Sequence, residues 1–155
     1  MKVESNLSEV ILRRIDILEG MEIHTEQALR MGADNALALV QTRIQQEGLG
    51  INGQLTSKAK SKFGAYSRGW GYTRNKRGFQ TGIIDYTFDG DLWRAWQILS
   101  VGDKEALIGF TDSQISKISG YLEEMHGKAF GLNEQEKEMV LASIKEYLVS
   151  KITAE

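Results

Sequence analysis

Residues 48–84 contain no aspartate and no glutamate. Seven cations fall in that window: Lys58, Lys60, Lys62, Arg68, Arg74, Lys76 and Arg77. Residues 48–82 also hold eight of the chain's 16 glycines and five aromatics, Phe63, Tyr66, Trp70, Tyr72 and Phe79. No hydrophobic period of a helix or a strand is sustained through it. So long a stretch without regular structure is unusual in a compact domain unless it has a job or moves. It predicts an extended, glycine-rich basic loop or arm over about 48–82, carrying a short hairpin. The chain has no proline, so glycine must make its tight turns. The rest of the chain keeps 12 basic against 21 acidic residues. An acidic body with a basic insert attracts either a polyanion or the acidic face of another copy.

On either side of the arm the pattern is regular. Leu7, Val10, Ile11, Ile15 and Leu18 recur at helical spacing, predicting a helix over 5–20 with Ser5 or Asn6 as its cap and Gly20 as its stop. Thr25 reads as the cap of a second helix running to about Glu47, with Glu26 in its first turn. Its apolar face is Leu29, Ala36, Leu37, Val40 and Ile44. Gly48 ends it, and Gly32 and Asp34 mark a break.

Beyond the arm, Ile83, Asp85, Thr87 and Asp89 alternate with Ile84, Tyr86 and Phe88, the period of a half-buried strand. Asp89-Gly90-Asp91 is a turn signal, and residues 92–96 fit one helical turn or a bulged strand. Residues 97–100 and 105–110, joined through Val101-Gly102-Asp103, predict a hairpin. Residues 113–124 read as a helix with Ile115, Ile118 and Leu122 on one side. Asn133 begins a capping box for a last helix. Its buried face is Met139, Val140, Ile144, Tyr147, Leu148 and Ile152. The fold class is therefore α+β in a single domain over 1–155: N-terminal helices, the arm, and a small antiparallel sheet flanked by C-terminal helices.

The chain has 155 residues, 41% apolar and 26% charged, an ordinary globular composition. It has no cysteine, hence no thiol nucleophile, thiolate metal site or disulfide. No apolar run is long enough to span a membrane, and MKVESNLSEV lacks an apolar signal core, predicting synthesis in the cytoplasm. No metalloprotease, nucleophile-elbow, Walker or dinucleotide motif occurs. His24 and His126 lie in different elements and read as ordinary polar residues. Asp85, Asp89 and Asp91 are oxygen ligands in kind, but their spacing is that of a turn, not of a calcium loop. Glu123, Glu124 and His126 read as a solvated helix end. The expectation is no enzyme, no metal and no cofactor.

Binding remains. Cations interleaved with rings suit a nucleic-acid surface, where charge meets phosphate and rings stack on bases. Trp93 and Trp96, three apart, would share a face of a helical turn, with core packing as the default and an interface as the functional alternative. The candidate interface is thus Lys58, Lys60, Lys62, Tyr66, Arg68, Trp70, Tyr72, Arg74, Lys76, Arg77, Trp93 and Trp96, since Trp, Tyr and Arg concentrate at binding hot spots.

The order of the C-terminal segments resembles a known family. FDGDLWRAW (88–96), EALIGF (105–110), YLEEMHGKAF (121–130) and GLNEQEKEMVLASIKEYL (131–148) follow the succession found in tail-completion and neck proteins of tailed bacteriophages. In that virion-morphogenesis group a TGxLxxS-type segment leads into two strands, then a YAxxHExG-type segment and an acid-rich helix. RGFQTGIIDYTF (77–88) extends the likeness upstream. This chain departs by having Asp89 where the family often has Thr and Ala95 where it often has Ser.

The resemblance implies an α+β fold on a small antiparallel sheet. It also implies a non-enzymatic subunit of the virion that joins head and tail. Its partners would be copies of itself in a ring, commonly six- or twelve-fold, and neighbouring portal, adaptor or tail-tube proteins. DNA passing through the ring's lumen would be a further contact. The alternative from the residues alone is a small nucleic-acid-binding protein using the basic aromatic arm.

Overall fold

The computed structural model describes residues 2–4 and 22–153. The helix expected over 5–20 lies outside the described residues. The next one, α1 (Glu22–Thr42), starts before Thr25. Thr25 is therefore not a cap but a buried residue inside the helix, 3% exposed. Nor does α1 break at Gly32. A Cβ there would stand 2.5 Å from Cδ1 of Ile144, so the missing side chain lets another helix approach closely. The last turn widens into a π-helical segment, Arg43–Glu47, and Gly48 stops it at φ 65°, the left-handed conformation that favours glycine.

The C-terminal half follows the expected order. A helical turn α3 (Asp91–Ala95) feeds strand β4 (Trp96–Val101), which pairs antiparallel with β5 (Ala106–Phe110) across a bulge between Ile98 and Ser100. Strand β1 (Lys2–Glu4) lies on the other edge of β5, giving the sheet order β1-β5-β4. Helix α4 (Ser113–His126) is capped by Asp112, whose carboxylate accepts from the N–H groups of Gln114 and Ile115. Helix α5 (Glu134–Thr153) closes the chain. Its capping box is complete: the Asn133 side chain accepts from the Glu136 N–H at 2.8 Å, and Glu136 accepts from the Asn133 N–H at 3.0 Å.

The core lies where α1 packs along α5 and against β4 and β5. Val140, Ile144 and Leu148 of α5 are buried against Ala28, Leu29, Ala36, Val40 and Ile44, each large side chain contributing about 1.5–3 kcal/mol. Met139 and Ile152 were placed on this face by their spacing, yet they are 48% and 38% exposed. The buried stripe of α5 is narrower than the apolar one. A second cluster centres on Phe130, whose ring lies 5.0 Å from Phe110, 5.8 Å from Trp96, 6.0 Å from Trp93 and 5.5 Å from Tyr86.

Residues 83–89 form no strand. Ile84 and Asp85 are buried, but the segment has no neighbouring strand, and side chains satisfy its backbone instead. The glycine-rich insert is built rather than bare. Strands β2 (Lys62–Phe63) and β3 (Tyr66–Ser67) make a tight hairpin that runs directly into helix α2 (Arg68–Lys76). The arm read from composition is thus a small folded module. The fold class is α+β, with helices and two antiparallel sheets among the described residues.

Candidate functional site

Helix α2 reads RGWGYTRNK. Two glycines and four β-branched, aromatic or amide residues give it little intrinsic helicity, so tertiary contacts must hold it. Arg74 supplies them. It is 1% exposed. Its Nη2 donates to Asp85 Oδ1 at 3.0 Å, its Nη1 to the Thr87 carbonyl at 2.5 Å and its Nε to the Gln80 carbonyl at 3.1 Å. The guanidinium lies 4.5 Å from the Tyr66 ring centroid and 5.3 Å from that of Phe79, within range of a cation–π contact.

Asp85 collects the rest of the module. Its Oδ1 also accepts from the Tyr66 hydroxyl at 3.1 Å and the Thr87 N–H at 2.9 Å, and its Oδ2 from Gln80 Nε2 at 2.6 Å. Burial, with the Asp85 carboxylate beside it, pushes the Tyr66 hydroxyl up to about 12, so it remains a donor. A buried ion pair is sustained only when its remaining polar atoms are bonded, and here they are.

The predicted interface residues therefore divide. Arg74, Tyr66, Trp93 and Trp96 are buried, the last three at 2%, 8% and 4% exposure, and are corrected from surface to scaffold. The Trp96 indole N–H donates to the Leu37 carbonyl at 3.3 Å; Trp93 packs on Phe130. Lys58, Lys60, Lys62, Arg68, Lys76 and Arg77 are exposed, as are Trp70 and Tyr72 at 39% and 62%. None of the six cations forms a salt bridge with a described carboxylate. Lys58 donates to the Glu124 carbonyl at 2.6 Å, tying the insert to α4.

Asp85 and Gln80 are the partners that sequence reading missed. The signal was an acid between Ile84 and Tyr86, the first after a long acid-free run: a charge in apolar surroundings needs a counter-ion. Phe88 was missed too. Trp70 leans on its ring at 4.9 Å, Phe79 at 5.4 Å, and the Arg77 guanidinium sits 5.0 Å from its centroid.

Behind this surface, a cleft of about 290 Å³ opens between the 85–91 segment and α4, lined mainly by Trp70, Tyr86, Phe88, Leu92, Ile118 and His126. Tyr86 is the one non-glycine residue with positive φ (54°) among those described. Stacking on Phe130 and a hydroxyl bond to the Leu122 carbonyl at 3.2 Å hold it there. Burial keeps the His126 imidazole below its usual range, and its Nδ1 faces the Leu122 carbonyl at 3.2 Å. No side-chain carboxylate or hydroxyl is bonded to it among the described residues.

The acids suspected as ligands do not converge. Asp85 is bonded to Arg74, Asp91 to Arg94, and Asp89 caps the Asp91 N–H. Glu123 is buried while Glu124 is exposed. The described residues contain no group of three His, Asp or Glu that could hold a metal, and no helix long and apolar enough to cross a membrane. No protein-family model, curated protein or solved structure matches the chain.

Proposed function

We propose that this chain is a structural subunit of a tailed-phage neck or tail-completion ring, assembled head to tail from copies of itself. The observation that carries the reading is an exposed cationic surface without carboxylates over residues 58–77, on a chain whose remainder holds 12 basic and 21 acidic residues. Lys58 and Lys60 alternate with buried Ser57 and half-buried Ala59 along an extended segment, and Lys62 continues the exposed row into β2. The acidic excess lies outside it: Glu134, Glu138 and Glu146 are exposed on α5 beside Lys137 and Lys145, and Asp103 and Glu105 flank Lys104 at the β4–β5 turn. A cationic surface and an acidic remainder can meet in a heterologous contact, and such contacts form a ring when the rotation between copies closes.

The order of elements supports the same reading. The segments likened to the neck family fall on α3 and β4, on β5, on the end of α4 and on the capped α5, the small sheet with flanking helices that the resemblance implies. In a virion such a ring would also meet portal, adaptor or tail-tube proteins, with DNA in its lumen.

The test is light scattering at rising protein concentration, in low and high salt, on the wild type and on the triple variant Lys58→Glu, Lys60→Glu, Lys62→Glu. A multimer that high salt and the triple variant both dissolve is the expected result. A wild type that stays monomeric in low salt, or a multimer that the triple variant retains, overturns the proposal.

A further inference from the structure

The exposed side of α2 carries a pattern that ring assembly does not call for. Arg68, Tyr72 and Lys76 stand at i, i+4 and i+8, so they form one stripe, cation, ring, cation, with a rise of about 6 Å between neighbours. All three are exposed, Tyr72 at 62%. Phe63 meets the Tyr72 ring edge-on, at 6.3 Å and 88°, which props the ring without covering it. Lys62 pairs in register with Ser67, the residue before Arg68, and so extends the row. Trp70, two residues before Tyr72 and so on the opposite side of the helix, is 39% exposed and leans on Phe88, over which Arg77 is also placed.

Nothing in the segment neutralises this surface. Residues 48–84 have no carboxylate, and the first one after them, Asp85, is 7% exposed and bonded to Arg74. We propose that the exposed stripe of α2 binds single-stranded nucleic acid, with Tyr72 stacking on a base and Lys62, Arg68 and Lys76 meeting phosphates. A ring on offer between unpaired cations unites the two components that single-strand binding combines. A duplex keeps its base faces stacked inside, so it would leave the ring unused. An acidic protein would take the cations and gain little from the ring. The proposal does not rest on ring assembly.

A fluorescein-labelled oligothymidylate of about 16 nucleotides provides the readout. It is titrated with the full chain, below the concentration at which scattering rises. The expected result is a rise in anisotropy, with log affinity falling against log salt at a slope of about −2, for three phosphates neutralised. Tyr72→Ala weakens binding about tenfold at unchanged slope. The double variant Arg68→Gln, Lys76→Gln makes the slope shallower by about 1.4. Both variants change exposed side chains, and an unaltered melting curve checks that they fold.

Absence of an anisotropy rise in low salt overturns the proposal. So does equal affinity for a duplex of the same length. So does competition by polyglutamate at equal charge together with indifference to Tyr72→Ala, an outcome that assigns the face to an acidic protein.

Discussion

Arg43 and Arg74 are both buried, both bonded to a carboxylate and both surrounded by backbone carbonyls, yet they hold different lengths of chain. Arg43 sits in the π-helical segment after α1. It bonds to Glu136 at the start of α5, to the Ala129 and Gly131 carbonyls at 2.5 and 3.0 Å, and to the Leu49 carbonyl at 3.2 Å. Its carboxylate partner is 93 residues away. Arg74 finds its carboxylate only 11 residues away, and its other partners, Gln80 and Thr87, are as local. The first arginine closes the body; the second closes a module within itself. The same chemistry therefore stabilises the whole fold in one place and a local unit in the other.

Substitutions break this comparison in order of effect. Arg43→Ala leaves Glu136 buried without its cation and takes a donor from three carbonyls. It should cost about 3–5 kcal/mol in global stability, seen as a large drop in the denaturation midpoint by circular dichroism. Arg74→Ala strands Asp85 in the same way, but its loss should appear locally. The expected outcome is protease cleavage within 56–82 and fast amide exchange in α2, while α1 and α5 keep their protection. A single cooperative transition, with all helices losing protection together, would show instead that module and body are one folding unit.

Glu123 gives the smallest effect and sharpens the picture of the seam near α4. Its carboxyl is 6% exposed, with the Lys128 ammonium 3.8 Å away. Burial holds its pKa above the usual carboxylate range. The folded state then binds the proton more tightly than the unfolded one, so this group favours folding in acid and loses that contribution as pH rises through its folded value. Glu123→Gln should raise the melting temperature relative to wild type near neutral pH. The gain should vanish below about pH 4, where both states of the wild type are protonated. A gain independent of pH would place the effect in packing rather than in charge.

Local signals were legible in the sequence and long-range ones were not. The β4–β5 hairpin, the α4 span and the Asn133 capping box were readable because each is decided within a few residues of chain. Alternation over 83–89 was equally clear and did not give a strand, because a strand needs a neighbour, and Arg74 and Gln80 reach this backbone first. The tryptophans left core and interface both open, because Phe130, the ring they meet, is over 30 residues away and carries no marker of its own. Of the cations in the candidate site, only Arg74 was misplaced. Composition could count the charges, but not say which one Asp85 would draw inside.

That single inward turn separates what the module can change from what it must keep. Tyr66, Arg74, Gln80 and Asp85 bond to one another and lock the hairpin to its helix. Arg68, Tyr72 and Lys76 face outward and take no part in the lock. A substitution in the outer set changes what the module can bind and leaves its fold, whereas one in the lock undoes the fold itself. Distant kin of this chain would then be easier to trace by a buried arginine and an aspartate eleven positions later than by any lysine a comparison of surfaces would notice first.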